Sequence, residues 1–307
     1  MSDVVNETKK MGLFQRGVLQ NPITLKELRS RMRGRRAFAI LSFYLLATCV
    51  IIFFTYFFLV RDSLTSSSNG QAAGQVIFFF LISIQIFLVI FVAPAFTAGA
   101  ITGEKERQTF ELLRTTLMSP RRFVLGKMIS ALGYVMLLII STIPLISLAF
   151  MIGGISWVEI VVSQTMLIAG AFTYSLMGLY FSSRMKTTLA ATVTTYIITL
   201  VVLIGLPLVI SFASLMIGPF LVLSNYPDWF DIVIGYGLVL IGFTNLPGAM
   251  VAAEAFLLEQ NGVWGFWASG TSRYYIISPW YGALITHLVV AWLFFRWTVK
   301  RVAKISE

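Results

Sequence analysis

The densest internal cluster of charged side chains lies in residues 103–127, which have the sequence GEKERQTFELLRTTLMSPRRFVLGK. The segment contains six basic and three acidic residues, and a long uncharged apolar run lies on each side of it. Phe110, Leu113 and Leu117 recur at helical spacing, which predicts a short amphipathic helix that ends near Pro120. Apolar anchors beside charges of both signs are typical of a surface that docks another protein.

The same segment carries no catalytic signature. Gly126-Lys127 is a fragment of a phosphate-binding loop, yet Arg121 stands in place of its first glycine and Met128 in place of the Ser or Thr that would hold magnesium. The chain also lacks a Gly-x-Ser-x-Gly elbow and a His-Glu-x-x-His pair. We therefore expect no catalytic residue, no metal site and no bound cofactor in this chain. If ATP and Mg²⁺ drive this protein, a partner subunit binds them.

The elements that must position this segment are those of an integral membrane protein. Of the 307 residues, 58% are hydrophobic and 12% charged, and the mean hydropathy is +0.85, which excludes an ordinary soluble domain. A helix needs about 20 apolar residues to cross the hydrocarbon core. Six runs meet this requirement, and Gly205 and Pro207 interrupt the fifth. The runs cover residues 37–60, 76–101, 128–153, 157–181, 187–217 and 279–299.

The distribution of basic residues predicts the topology. Nine of the 23 Lys and Arg residues lie in residues 1–36, six in 103–127, two in 184–186 and four in 296–304. If both termini are cytoplasmic and six helices cross, these 21 residues lie inside, as the positive-inside rule requires. The net charge of +10 is thereby explained without nucleic acid. We predict an all-α integral membrane protein with six transmembrane helices and cytoplasmic termini, in the inner (plasma) membrane of a bacterium or archaeon.

Residues 1–36 are predicted to form a cytoplasmic N-terminal segment, and residues 37–307 the transmembrane domain. Asn21-Pro22 supplies a helix start. Apolar residues then recur at helical spacing among basic ones, which predicts an interfacial helix on the lipid of the inner leaflet. Its basic end serves either as a topology anchor or as a site for a partner or lipid headgroup. The residues assigned to this interfacial helix are Leu25, Lys26, Glu27, Leu28, Arg29 and Met32.

Residues 218–278, between the fifth and sixth runs, are predicted to enter and leave the membrane on its outer side. One additional crossing would place the basic C-terminus outside, whereas a hairpin leaves the topology unchanged. Asn245, Pro247 and Gly248 lie near the middle of this region, where a turn is expected. We predict an outer re-entrant pair of short helices.

Ionisable residues are nearly absent from the predicted spans. His287, in the sixth, is either a neutral histidine hydrogen-bonded to a neighbouring helix or part of an intramembrane pathway. The single cysteine, Cys49, is expected to pack inside the first span. The acidic residues at the outer boundary are expected to be solvated; they are Glu159, Asp228, Asp231, Glu254 and Glu259.

Segment 103–127 resembles the segment after the second span in permeases of the type-2 exporter superfamily of ATP-binding cassette (ABC) transporters. Those permeases typically show a Gly-Glu-(basic)-Glu-Arg start, a Thr-x-Glu-Leu-Leu core, a Ser-Pro and a closing Gly-Lys. Gln108 departs from the pattern, because glycine is frequent there, and Leu117-Met118 replaces a frequent Thr-Pro. The N-terminal NPITLKELRSRMRGRRAF also resembles the lead-in helix of this family. The matching positions are Gly103, Glu104, Lys105, Glu106, Arg107, Thr109, Glu111, Leu112, Leu113, Ser119, Pro120, Gly126 and Lys127.

The resemblance implies two permeases, identical or homologous, bound to a dimer of cytoplasmic ABC ATPase subunits. It also implies that the short helix after the second span is a coupling helix, whose charged and apolar residues face the ATPase. Membrane lipid and outer accessory subunits are further expected partners. The predicted ATPase-coupling residues are Gly103, Glu104, Lys105, Glu106, Arg107, Thr109, Phe110, Glu111, Leu112 and Leu113.

In the same family, spans one, two and five of two protomers form the transport pathway. Polar side chains in these spans could line such a path, although each alone is more often an interhelical hydrogen bond. A largely uncharged bundle slightly favours amphipathic cargo over a small ion. The residues proposed to line such a path are Ser42, Thr48, Thr55, Ser83, Gln85, Thr192, Thr194, Thr195 and Thr199.

The favoured function is therefore a permease subunit of an ATP-driven ABC exporter. A membrane anchor that uses ATPase cycling to act on a partner protein is an alternative that the sequence does not separate from transport. An autonomous channel or secondary transporter predicts intramembrane charges or inverted repeats, and neither is evident. A lipid-modifying enzyme ranks last, because the chain has one histidine. A coupling segment that only lies on anionic lipid is disfavoured by its acidic residues.

Overall fold

The computed structural model describes residues 35–60, 67–109, 119–223, 237, 240–258, 265–268 and 274–306. Within these residues, six helical segments are long and apolar enough to cross a membrane. The prediction of six spans is thus confirmed. The sides of the membrane on which the termini and loops lie stay a prediction from the charge distribution.

The first two spans differ in how far they are buried inside the protein. α1 (Arg35–Thr55) runs into a π-helical turn (Tyr56–Val60). α2 (Ser67–Ala98) is followed, after a tight turn, by the short helix α3 (Thr102–Glu106). In the most apolar 18-residue stretch of the first span, 17% of the residues are buried inside the protein, against 56% in the same stretch of the second span. The first span therefore presents an apolar surface suited to lipid or to another subunit.

The third span is broken at Thr142, between α4 (Pro120–Ser141) and α5 (Ile143–Ile152). Pro144 in the first turn of α5 lacks an amide hydrogen and cannot continue the hydrogen bonding of α4. Gln85 of α2 donates to the Thr142 hydroxyl, and that hydroxyl donates to a carbonyl of the preceding turn at 2.7 Å. The two side chains stabilise the break inside the apolar interior.

The fourth span, α6 (Trp157–Arg184), begins with a capping box formed by Ser156 and Glu159. The Glu159 carboxylate accepts a hydrogen bond from the Ser156 amide at 3.2 Å. Glu159 is only 7% exposed. The prediction that Glu159 is solvated is therefore wrong. A capping box ties the acidic side chain to the helix start, and the neighbouring elements then cover it.

The fifth span consists of α7 (Thr188–Leu200), a π-helical turn (Val201–Gly205) and α8 (Leu206–Leu223). The predicted interruption near Gly205 and Pro207 is confirmed. It takes the form of a wider helical turn rather than a complete break, as is common where a proline disturbs a helix.

Asn245 stabilises this interruption from outside the span. Pro207 has no amide hydrogen to donate to the carbonyl of Leu203, four residues earlier. The Asn245 side-chain amide donates to that carbonyl instead, at 2.8 Å. The Asn245 side-chain oxygen accepts from the Gly248 amide at 2.9 Å, in the first turn of α9 (Leu246–Leu258). One side chain thus joins the fifth span to the start of α9.

Within the described residues, helix lies on both sides of the turn predicted near Asn245: residues 237 and 240–242 are helical, and α9 begins at Leu246. α9 has 13 residues, too few to cross a membrane. A two-stranded antiparallel hairpin follows, β1 (Gly265–Ala268) and β2 (Tyr274–Ile277). The all-α prediction did not include this short hairpin, whose aromatic and β-branched residues favour strands. Residues 224–236 lie outside the described part of the chain.

The sixth span, α10 (Pro279–Ser306), packs with α2 against α6, which forms the centre of the bundle. In the fourth span 67% of the apolar window is buried, the largest share of the six. Gly178 of α6 allows α2 to approach closely, since a Cβ atom there would lie 2.2 Å from the Thr97 Oγ1 atom and 3.2 Å from the Pro94 carbonyl oxygen. Small residues at helix crossings are typical of packing in membranes.

Candidate coupling site

The chain after the second span folds back onto the end of the fourth. The hydroxyl of Ser182, in the last turn of α6, accepts hydrogen bonds from the backbone amides of Ile101 and Thr102 at 2.9 and 3.0 Å. Amides at a helix start have no partner within the helix. Ser182 therefore caps α3 from another span.

Glu104 and Lys127 form an ion pair between α3 and α4. The Lys127 side chain is 4% exposed and the Glu104 side chain 23% exposed. The pair joins the beginning of segment 103–127 to its end. Removal of either partner would leave the other charge poorly solvated. The pair therefore favours the arrangement in which α3 lies against the third span.

Lys105 contacts the end of the fourth span. Its ammonium group donates to the backbone carbonyls of Ser183 at 2.6 Å and Met185 at 3.2 Å. Carbonyls at the end of a helix lack intrahelical partners, and the helix dipole favours a cation there. Lys105 therefore caps the C-terminus of α6.

Glu106 contacts the start of the fifth span. Its carboxylate accepts hydrogen bonds from the backbone amide and the hydroxyl of Thr188 at 2.7 and 2.8 Å. The side chain of Thr187 accepts a further bond from the Ala190 amide at 3.3 Å. Carboxylates are stabilised at helix N-termini by the free amides and the helix dipole. Glu106 and Thr187 together cap α7.

Three consecutive charged residues, Glu104, Lys105 and Glu106, thus bind the third, fourth and fifth spans respectively. The sequence analysis assigned them to contact with an ATPase, and that contact stays a prediction. Their side chains are bonded within the chain, so any displacement of α3 acts directly on the ends of three spans.

The residues after α3 are exposed and include an unusual backbone conformation. Gln108 has a φ of +57°, in the left-handed region that L-amino acids with a side chain rarely adopt. This backbone conformation explains why glycine is frequent at this position in the permeases that the segment resembles. Arg107 and Thr109 flank the turn, and Thr109 Oγ1 donates to the Glu104 carbonyl at 3.3 Å. A Cβ atom at Gly103 would meet nothing within 4 Å.

Part of the predicted site lies outside the described residues, so its placement stays a prediction. These residues are Phe110, Glu111, Leu112 and Leu113 of the coupling segment, and Leu25, Lys26, Glu27, Leu28, Arg29 and Met32 of the interfacial helix.

The receiving groups of this site were missed in the sequence. Ser182, the Ser183 carbonyl and Thr188 lie about 80 residues after α3. The threonines at 187 and 188, placed just before an apolar run, are a recognisable helix start. No local pattern indicates which carboxylate completes the cap.

A second set of polar contacts lies within the spans. Gln164 of α6 donates to the Gln85 side-chain oxygen at 3.0 Å, and Gln85 is fully buried. Gln85, proposed above as a pathway residue, therefore joins α2 to α4 and α6. Other polar residues proposed for the pathway donate to carbonyls of their own helices; they are Thr48, Ser83, Thr195 and Thr199.

His287 lies between the fourth and sixth spans. Its Nδ1 atom is 3.3 Å from the Thr173 Oγ1 atom, and that hydroxyl donates to the His287 carbonyl at 2.8 Å. The prediction of a histidine hydrogen-bonded to a neighbouring helix is confirmed. Cys49 is exposed on α1, so the prediction that it packs inside the chain is wrong.

Comparison with known proteins gives one family. A family model described as "ABC-2 family transporter protein" matches residues 22–258, a range that includes the first five spans, segment 103–127 and α9. No curated protein matches the chain.

Proposed function

Because the chain belongs to the ABC-2 family of transporter proteins, we propose that it exports its substrate as one of two permease subunits driven by a cytoplasmic ATPase dimer. The family match over more than half of the chain carries this proposal. Permeases of this family are the membrane component of ABC transporters, and the ATPase is a separate chain. We place the complex in the inner (plasma) membrane of a bacterium or archaeon, and the second permease is identical or homologous.

In this proposal, α3 transmits force from the ATPase to the bundle. Its three charged side chains are bonded to α4, to the end of α6 and to the start of α7. Charge-assisted hydrogen bonds of this kind are stronger and more directional than neutral ones. When nucleotide binding moves the ATPase, the displaced α3 therefore moves the ends of these helices with it.

Contact with the ATPase is assigned to residues of segment 103–127 that follow α3. Arg107 follows α3 and is exposed, and Leu112 and Leu113 are the apolar residues that follow it in the coupling segment. A guanidinium group can pair with a carboxylate of the partner, while leucine side chains fill apolar pockets. In this proposal the residues after α3 bind the ATPase, and the three charged residues of α3 pass the movement to the bundle.

The test is affinity purification of the tagged full-length chain from its native membranes in mild detergent, followed by identification of the co-purifying chains. We expect an ATPase with nucleotide-binding motifs to accompany the wild-type chain and to be lost from Arg107→Glu and Leu113→Asp. Lys304→Glu, an exposed charge reversal near the end of α10, is the matched control and should retain the ATPase.

Two results would contradict the proposal. If the wild-type chain purifies folded and without an ATPase under every mild condition, the transporter function is wrong. If the ATPase is present and both substitutions leave its amount unchanged, the assignment of the docking residues is wrong.

A further inference from the structure

A cavity of about 310 Å³ lies between the second span, α6, the π-helical turn of the fifth span and α9. Its largest wall is α2, which contributes the aromatic rings of Phe78, Phe79, Phe87 and Phe91. Apolar, concave walls with few polar groups are typical of ligand sites. The shape and composition of this cavity suit a hydrocarbon chain.

Among the described residues that line the cavity, Glu254 of α9 is the only ionisable one. The two serines in the lining use their hydroxyl groups within their own helices: Ser83 donates to the Phe79 carbonyl at 2.7 Å and Ser163 to the Ile160 carbonyl at 3.0 Å. Within the described part of the chain, no hydrogen bond or ion pair engages the Glu254 carboxylate.

The electrostatic surroundings of Glu254 favour a cation. Glu159, at the start of α6, is close enough for the two carboxylates to repel each other. The described lining contains no Lys, Arg or His side chain that could neutralise them. A half-buried carboxylate among apolar groups loses solvation, and a nearby positive charge compensates for that loss.

We propose that this cavity binds a cationic amphiphile, with a protonated amine or quaternary ammonium head beside Glu254 and a hydrocarbon body along the phenylalanines of α2. The inference rests on the proposed export function, since it assigns the chemical class of the cargo.

The cavity is placed so that movement of the fifth span changes it. Leu203, in the π-helical turn, lines it, and the carbonyl of this residue accepts the hydrogen bond from Asn245 at the start of α9. The wall that carries Glu254 is therefore tied to the span whose N-terminus is capped by Glu106.

The test is photolabelling of the full-length chain in neutral phosphatidylcholine nanodiscs at pH 8. Two probes of equal chain length are used, a long-chain primary amine and a fatty acid, each with a diazirine in the chain. We expect the amine to label peptides of α2 and α9 about tenfold more than the acid does, as for other close charge pairs. The Glu254→Gln variant should lose this excess.

Two further variants make the result specific. Glu254→Asp keeps the charge and should keep the preference for the amine. Lys304→Gln, which removes an exposed charge near the end of α10, should label as the wild type does. Equal labelling by both probes in the wild type, or an amine excess that persists in a folded Glu254→Gln, would overturn the proposal.

This experiment uses the chain without any ATPase. A failed labelling experiment therefore leaves the co-purification result intact, and a failed co-purification leaves the labelling result intact.

Discussion

The Glu106 carboxylate accepts hydrogen bonds from both the amide and the hydroxyl of Thr188, at 2.7 and 2.8 Å. These two residues are 82 positions apart in the sequence. The contact makes the segment after the second span a part of the fifth span's N-terminus. Because Asn245 joins the π-helical turn of that span to α9, a continuous set of contacts leads from α3 to the cavity.

The first prediction concerns coupling. Glu106→Gln removes the negative charge from the α7 cap, so we expect it to weaken transmission while leaving the ATPase bound. In a reconstituted complex, the amount of co-purified ATPase should stay unchanged and substrate-stimulated ATP hydrolysis should fall severalfold. Loss of the ATPase together with the stimulation would assign Glu106 to docking instead.

The second prediction concerns the ion pair between α3 and α4. Lys127→Met leaves Glu104 without its counter-ion and should destabilise the protein by about 3 kcal/mol, the lower end for a broken buried pair, because Glu104 keeps some solvent contact. The charge-swapped double variant Glu104→Lys/Lys127→Glu should recover part of this loss. Thermal unfolding of the purified protein in detergent measures both effects, and a double variant no better than the single one would contradict the pairing.

The third prediction concerns the left-handed residue. Gln108→Gly relieves the backbone strain at a φ of +57°, and we expect a gain of about 0.5 to 1 kcal/mol after the added chain entropy of glycine is subtracted. Arg107→Gly is the matched control, because Arg107 has a φ of −82° and glycine there should destabilise the protein. The melting temperatures of the two variants should therefore move in opposite directions.

The fourth prediction concerns the packing of the bundle. Gly178→Ala places a methyl group 2.2 Å from the Thr97 Oγ1 atom, so Thr97 and the adjacent backbone must move, at a cost of about 1–3 kcal/mol. Gly242→Ala is the control, because a Cβ atom there meets nothing within 4 Å. Equal melting temperatures for the two variants would show that α2 and α6 can separate without cost.

The fifth prediction concerns pH. Burial, and secondarily the nearby Glu159 carboxylate, raise the pKa of Glu254 from 4.5 to about 7. The folded protein therefore holds this proton more tightly than the unfolded chain does, so stability falls as pH rises from about 4.5 to 7. α2 contains no ionisable residue, and the His287 ring of α10 contacts Thr173.

The measurement is the melting temperature of the wild type and Glu254→Gln at pH 5 and pH 8. The substitution should raise the melting temperature at pH 8 and change it little at pH 5. An equal effect at both values would show that Glu254 does not titrate in this range.

Much of the fold was predictable because its signals are local. Span length, the interruption at Pro207 and the asymmetry of Lys and Arg each depend on neighbouring residues and on the thickness of the bilayer. The hydrogen-bonded state of His287 was predictable because a polar group inside a membrane needs a partner. The hairpin of β1 and β2 was missed, since each strand has only four residues and the pairing, rather than the local sequence, stabilises it.

The sequence by itself therefore determined that this is a membrane protein of six spans with one charged segment suited to a soluble partner, because hydrophobicity and charge add up residue by residue. Only the tertiary structure decided what Glu104, Lys105 and Glu106 contact, that Glu159 is buried, and that Glu254 lines an apolar cavity. Those properties depend on which helices become neighbours. That is set by the packing of side chains far apart in the chain, such as the close approach of Gly178 to Thr97.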